Sequence, residues 1–355
     1  MIRLITIAEA ESCRFALMGA GFHLCTIVEQ LVAQGFPKPI VFTYPRAEHE
    51  RDRALLTDRR IYKPVFETCE RLGVPVVDDK LDDLEMLAKM RESGCAAVFS
   101  MSWRRVITPD LIDAFPDRIF NLHPSLLPKE RGSGTFSYRI MNNSREVSAT
   151  IHLVDPGLDQ GEVVLQERME LDLDRPTPRD YLIATNDLYA RMIERFLTTL
   201  KARQPFEAKK QNEDDNSYLP LLHTETNGAI DWTWSADEIE RFIRAFGNPY
   251  PGAFTFVKDK RIAIVDAVAA PSGIDYHPYL AGRVLSVQTD GCVKIIARSG
   301  LLRLLEISVD GSRMKPAQVL KAVSCLHTPA DVLDRARWTV LRASQMNVPK
   351  ANAEQ

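Results

Sequence analysis

From about residue 13 the chain alternates short apolar runs with longer stretches in which apolar residues recur every three or four positions. Phe15-Ala16-Leu17-Met18 is a continuous apolar run closed by a Gly19-Ala20-Gly21 turn. Leu24, Ile27, Val28 and Leu31 then fall at i, i+3, i+4 and i+7, which predicts a strand and then an amphipathic helix ending near Gly35. The change of period repeats downstream. A strand over 39–43 and a helical stretch carrying Val65, Cys69 and Leu72 precede a stop at Gly73. The strand 74–77, a helix carrying Leu84, Leu87, Ala88 and Met90, and the strand 95–99 follow. Thr108-Pro109 has the N-cap and N1 chemistry of another helix, and the strand Ile119-Phe120 delivers Asn121 at its C-terminal end. Repeated βα units predict an α/β fold, a doubly wound and mostly parallel sheet of Rossmann-like type. Ligands in such sheets bind beyond the carboxyl ends of the strands.

The pattern changes in the second half. After a long helix near 180–203, residues 206–228 are polar and irregular and read as a linker, with Asn212-Glu213-Asp214-Asp215-Asn216-Ser217 inside it. Ser235 and Glu238 form a capping box for a helix whose stripe is Ile239, Phe242, Ile243 and Phe246. Strands are then predicted over 253–257, 261–265, 284–287, 293–297 and 301–307, with hairpin turns at Asp290-Gly291 and Ser299-Gly300. Five short strands predict a small antiparallel β-barrel of OB-like type. The expected division is a catalytic domain over 1–205, the linker over 206–228, the β domain over 229–335 and a tail over 336–355.

Composition narrows the partners. With 355 residues, two domains are the expectation, and a net charge of -3 supplies no global field toward nucleic acid or anionic membrane. No apolar run approaches the ~20 residues of a spanning helix. The six cysteines are scattered without a CxxC pair, which predicts reduced thiols in a cytoplasmic protein rather than disulfides or zinc.

The candidate chemistry lies in Asn121-Leu122-His123-Pro124-Ser125-Leu126-Leu127-Pro128 and Gly157-Leu158-Asp159-Gln160-Gly161. An amide, an imidazole and a carboxylate can hold an oxyanion and move a proton, the equipment of acyl-type transfer without a protein nucleophile. Asn121 is a fixed neutral donor and His123 can aim at the same oxygen. Asp159 can orient His123 and carry a proton. A lone Asn-x-His would read as a strand-end cap, and a lone Gly-x-Asp-x-Gly as a turn. Their combination reverses that balance. Ser125 shapes the loop, since no serine-activating dyad is visible. Gly19 and Gly21 offer backbone N–H groups to a phosphate or simply make a tight turn. Lys129 and Arg131 either meet an anionic acceptor or sit in a solvated loop.

These words, with Thr150-Ile151-His152-Leu153-Val154 between them, resemble the folate-dependent formyltransferases, a group that includes glycinamide ribonucleotide, methionyl-tRNA and sugar-nucleotide N-formyltransferases. The resemblance covers roughly residues 12–330. It implies N10-formyltetrahydrofolate as donor, no metal, and Asn121, His123 and Asp159 as the catalytic trio. It places the pterin against Arg105-Val106-Ile107 and Val154-Asp155-Pro156, with Met101 and Trp103 as lining or as core packing. His152 is expected as a buried supporting residue.

The second half resembles the C-terminal domain of methionyl-tRNA formyltransferases and of the longer sugar-nucleotide enzymes, through Gly228-Ala229-Ile230-Asp231-Trp232 and Arg244-Ala245-Phe246-Gly247-Asn248-Pro249-Tyr250-Pro251-Gly252-Ala253-Phe254. Residues 206–355 carry 18 Lys and Arg against 18 Asp and Glu, which weighs against tRNA. The extra residue in Phe246-Gly247-Asn248-Pro249 and the run Asn248-Pro249-Tyr250-Pro251-Gly252-Ala253-Phe254 look closer to the sugar-nucleotide branch, so the resemblance implies an amino sugar carried on a nucleotide as acceptor, and also a homodimer. Gly132-Ser133-Gly134-Thr135-Phe136-Ser137-Tyr138 departs from the arginine-glycine-x-x-proline continuation usual in both branches. A hydroxylated amino-acid amine, as in siderophore assembly, and water, as in a formyl-folate hydrolase, stay open as acceptors. So does a folate-binding regulatory role without catalysis.

Overall fold

The computed structural model describes residues 2–7, 12–78 and 81–340. Most of the tail expected over 336–355 lies outside them.

The first part alternates as the periodicity predicts. In chain order it runs β1 (Ile2–Ile5), β2 (Arg14–Gly19), α1 (Gly21–Ala33), β3 (Ile40–Phe42), α2 (Arg46–Leu55), α3 (Val65–Leu72) and β4 (Val76–Val77). Then come α4 (Asp83–Glu92), β5 (Cys95–Met101), α5 (Pro109–Ala114), β6 (Ile119–His123), β7 (Arg131–Gly132) and α6 (Thr135–Met141). Gly73 ends α3 in the left-handed conformation at φ 61°, and Pro109 occupies the first turn of α5. The series closes with β8 (Glu146–Leu153), β9 (Val163–Glu170), α7 (Pro178–Lys201) and β10 (Phe206–Lys209). Along α7 the buried positions Tyr181, Ala184, Leu188, Met192 and Phe196 repeat at helical spacing, so this helix packs one apolar stripe on the sheet.

Nine strands form one sheet in the order β1-β10-β9-β8-β6-β5-β2-β3-β4. From β6 to β4 neighbouring strands are parallel, and from β6 to β1 each added strand is antiparallel. The sheet is thus parallel on one side only. Residues 206–209 belong to its antiparallel side and not to an irregular linker. Phe206 and Ala208 are buried while Glu207 and Lys209 face solvent, the two-residue period of a strand too short to stand out. The chain runs from β2 outward through β3 and β4, then returns to β5 on the other side of β2. The switch point therefore lies between β2 and β5, one strand from Asn121.

The rest comprises β11 (Tyr218–Leu219), α8 (Thr224–Asn227), α9 (Ala236–Ala245), β12 (Ala253–Val257), β13 (Lys260–Asp275), β14 (Val284–Val287) and β15 (Val293–Ile296). It ends in β16 (Ser299–Val309), β17 (Ser312–Met314), β18 (Leu326–His327) and α10 (Ala330–Trp338). Ser235 and Glu238 form the expected capping box of α9. The strands make a curled antiparallel sheet in the order β14-β15-β16-β13-β12-β18, with β17 on β16. Its two ends meet at an isolated antiparallel bridge between Arg283 and Cys325, so the sheet curls back on itself. Asp290-Gly291 turns β14 into β15 as expected. Ser299-Gly300, expected as a turn, already lies in β16, because the chain reverses at Ala297-Arg298.

The two parts are joined through side chains. Ser137 on α6 donates to Ala245 O on α9 at 2.7 Å, and Arg175 reaches Glu240 at 2.9 Å and Ala267 O at 2.6 Å. Among the described residues no helix is long and apolar enough to cross a membrane.

Candidate active site

The site begins with strand alternation. Asn121 and His123 are two residues apart on β6 and so share a face, while the intervening Leu122 is turned to the other. Register adds a third group to that face, because Asn121 pairs directly with His152 on β8, and His123 with Thr150. Asn121 lies in the middle of β6 rather than at its end.

The hydrogen bonds set the orientation of both donors. His152 Nδ1 is 2.7 Å from Leu153 O, a pure acceptor, so Nδ1 carries the proton. Burial pushes the His152 pKa down to about 4, against the pull of Asp159, so the ring is neutral at pH 7 and Nε2 is bare. Asn121 Nδ2 donates to that Nε2 at 3.1 Å. The amide is held in one orientation with its second N–H unspent on His152. His123 is handled the same way. Its Nε2 donates to Glu130 O at 2.8 Å, which leaves Nδ1 facing Asp159 Oδ2 at 3.5 Å. His123 is 4% exposed, so that carboxylate acts on it with little solvent screening.

Asp159 reaches the two rings from the loop between β8 and β9. Its backbone is left-handed, φ 54°, a conformation Asp tolerates better than most residues. Gly161 is needed because a Cβ there would stand 1.8 Å from Leu153 O. Asp159 Oδ2 accepts from Gly132 N at 2.9 Å, and Oδ1 is 3.7 Å from His152 Nε2. The three residues expected as a trio are thus brought together, with His152 as a fourth member.

The remaining expected residues divide. Ser125 is fully buried and donates to Lys129 O at 2.7 Å, while Thr150 donates to Ser125 O at 2.6 Å, so Ser125 shapes the loop. Lys129 is exposed beside it. Arg131 is not an open anion-binding cation. Its guanidinium is fully buried and spent on Gln211, Glu213 and Tyr218 at 2.6–3.1 Å. Gly19 is required by close approach, since its Cβ would lie 1.7 Å from Met101 O, whereas a Cβ on Gly21 would meet nothing within 4 Å. Ala20 donates its N–H to Met101 O at 3.3 Å. The turn is thereby pinned across the switch point.

Of the expected pterin contacts, Met101 is fully buried in the core and has no side-chain surface to offer. Trp103, Ile107 and Val154 all pack on the second apolar cluster, around Met18, Phe42 and Ile119. Trp103 stacks on Tyr44 at 5.2 Å. The Arg105 side chain is committed to Leu81 O at 2.7 Å and Asp83 at 2.8 Å. Val106 is 85% exposed, Pro156 is exposed, and Asp155 accepts from Gly157 N at 3.0 Å. Burial raises the Asp155 pKa.

Two groups near the β2–α1 turn gave no sequence signal. His23 in the first turn of α1 meets Tyr189 of α7 edge-on at 4.6 Å. Its Nδ1 and the Tyr189 hydroxyl are buried without a partner. Burial lowers the His23 pKa to about 4, so the ring is a neutral hydrogen-bonding group. Among the described residues no cluster of His, Cys, Asp and Glu could hold a metal ion.

Two family models match the chain. The formyl transferase model covers residues 13–191, and the formyl transferase C-terminal domain model covers 223–324. A methionyl-tRNA formyltransferase of Marinobacter nauticus is 30% identical over 305 residues, 84% of this chain and 93% of the relative. One from Heliobacterium modesticaldum is 28% identical over 312 residues, 86% and 95% of the two chains. Among solved structures, an N-formyltransferase from Helicobacter canadensis, in complex with folinic acid and dTDP-3-aminofucose, shares the fold with a TM-score of 0.58. That match has 18% identity and covers 82% of this chain and 98% of the other. With both matched ranges in family order and the Asn121, His123 and Asp159 side chains converging in the first, the chain belongs to the formyl transferase family and is an enzyme.

Proposed function

We propose that the enzyme transfers the formyl group of N10-formyltetrahydrofolate to the amine of an amino sugar linked to a nucleotide. The observation that carries the reading is the convergence of one oriented amide, one imidazole and one carboxylate on one face of β6 and β8.

The amine attacks the formyl carbon, and the carbonyl oxygen becomes an oxyanion. The second N–H of Asn121 stabilises it, with the His123 ring, held by Glu130 O and facing Asp159, at the same site. Asp159 holds His123 and takes the proton that the attacking nitrogen sheds. Asp159 gives that proton to N10 of the folate as the C–N10 bond breaks and the oxyanion collapses, leaving the N-formylated amino sugar and tetrahydrofolate. His152 keeps the Asn121 amide from turning its oxygen to the oxyanion. The pterin is read by backbone groups near Val106 and Ile107 and in the loop Val154-Asp155-Pro156, over an apolar floor of Trp103 and Val154. In support of folate as donor, the Helicobacter canadensis relative was solved with folinic acid.

The acceptor assignment rests on charge. Several cations of the curled sheet and its flanking helices are paired on the spot, Lys260 by Asp310, Arg261 by Glu225, Arg303 by Asp290, Arg313 by Glu306 and Arg337 by Asp231, and over 206–355 the 18 Lys and Arg are balanced by 18 Asp and Glu. A tRNA-binding face needs unpaired cations along a backbone track. The dTDP-3-aminofucose bound by the solved relative supports a sugar nucleotide. Methionyl-tRNA is the second reading, favoured by the names of the curated relatives. The test offers N10-formyltetrahydrofolate with dTDP-3-aminofucose, with charged initiator tRNA, with a hydroxylated ornithine and with no amine. Formamide formed on the sugar nucleotide is the expected outcome. Formylation of the tRNA alone, or amine-independent release of tetrahydrofolate, would overturn it.

A further inference from the structure

The segment between the two matched family ranges, residues 192–222, is not a passive linker. Its last part lies on the strand that follows the catalytic loop, with β11 paired in parallel to β7, Tyr218 opposite Arg131 and Leu219 opposite Gly132. Ser217 fastens the join three times. Its N–H donates to Pro128 O at 3.2 Å, its carbonyl accepts from Arg131 N at 2.8 Å, and its hydroxyl accepts from Glu130 N at 2.8 Å.

Gln211 stands where this segment meets the Asp159 turn. Its Nε2 donates to Asp159 O at 2.8 Å and to Gly161 O at 2.7 Å, so it clamps the two ends of that turn together. Its Oε1 accepts from Arg131 Nε at 3.1 Å and from the Arg131 guanidinium at 2.6 Å. Arg131 also binds Glu213 and the Tyr218 hydroxyl, and that same hydroxyl accepts from Gln160, the neighbour of Asp159, at 2.7 Å. Gly132, next to Arg131, supplies the N–H that the Asp159 carboxylate accepts. Among the described residues, the Asp159 carboxylate accepts its hydrogen bond from Gly132 N and its carbonyl accepts from Gln211 Nε2.

We propose that Gln211, with Arg131 and Tyr218, is a positioning residue that sets the Asp159 carboxylate against His123. Fully buried Arg131 is the hub because a guanidinium carries five donors in a rigid fork, enough to hold an amide, a carboxylate and a hydroxyl at once. Glu213 compensates its charge from the surface side, with its own side chain 59% exposed. Asn121 is fixed by its sheet partner His152, whereas Asp159 is held by Gly132 N and by Gln211 from a segment outside the matched ranges.

The proposal rests on Asp159 as the group that faces His123, and the test separates the two claims. The ring 15N signals of His123 are recorded in the full-length wild type, in Gln211→Leu, in Glu213→Gln and in Asp159→Asn, together with kcat and KM for N10-formyltetrahydrofolate. In Gln211→Leu the His123 Nδ1 signal is expected to move toward its place in Asp159→Asn. Its kcat should fall roughly 10- to 100-fold with KM within about twofold, the scale of a misplaced catalytic group. Glu213→Gln, a change at an exposed position, should move both readouts in the same direction by less, and it decides the matter if Gln211→Leu does not fold. A His123 signal and a kcat at wild-type values in these variants, while Asp159→Asn moves the signal, would overturn the positioning role. A signal unmoved even in Asp159→Asn would overturn the pairing of Asp159 with His123 instead.

Discussion

The two walls of the site are built in opposite ways. On the strand wall, Asn121, His123 and His152 project from adjacent strands in fixed register, and the two rings are oriented by the carbonyls of Glu130 and Leu153, 7 and 1 residues away in sequence. On the loop wall, Asp159 sits at positive φ in a hairpin loop and is held by Gly132 and Gln211, 27 and 52 residues away in sequence. The oxyanion donors need fixed direction, which a sheet supplies without help. The proton carrier has to meet both the acceptor and His123, and it is placed by contacts that cross long stretches of chain.

Breaking the strand wall should cost most. His152→Leu removes the acceptor of Asn121 Nδ2 while filling similar space, and leaves a buried N–H unsatisfied at a cost of about 1–3 kcal/mol. The amide is then free to rotate, and kcat should fall on the order of 100-fold with KM for the folate nearly unchanged, measured by steady-state kinetics. Activity within a few-fold of wild type would show that the amide is oriented by something other than His152.

The loop wall should yield more gradually. At Gly132 the backbone has φ 94°, and a Cβ would stand 2.4 Å from Leu219 O. Gly132→Ala should push β7 from β11, loosen the N–H on Asp159 and lower activity roughly tenfold, with a melting temperature several degrees below wild type. Full activity with a lowered melting temperature would mean that the pairing of β7 with β11 is structural only.

The same contrast governs what the sequence made legible. The strand wall could be read because alternation places Asn121 and His123 on one face, and because an apolar run marks the strand that carries them. The βα order, the capping box at Ser235 and Glu238 and the strands of the second part follow from patterns a few residues long. The loop wall could not be read that way. Arg131 in a polar stretch has the local appearance of a surface cation, and only the fold buries it against Gln211 and Tyr218. Met101 stood next to an expected pocket, but the close approach of Gly19 to its carbonyl puts it in the core. Phe206-Glu207-Ala208-Lys209 alternates, yet four residues are too few to tell a strand from a turn. Each miss concerns a contact across a long stretch of chain, and no local period encodes that.

The central claim is that Asn121, oriented by His152, stabilises the oxyanion of a formyl group in transit from N10-formyltetrahydrofolate to an amine. Its most direct test is the amine-dependent release of tetrahydrofolate by Asn121→Ala beside wild type, with dTDP-3-aminofucose as the amine and the fold checked by thermal melting. The account predicts a kcat lower by about 100- to 1,000-fold, the scale for removing one oxyanion donor, with the melting temperature near wild type. A folded Asn121→Ala that transfers formyl at the wild-type rate would contradict it.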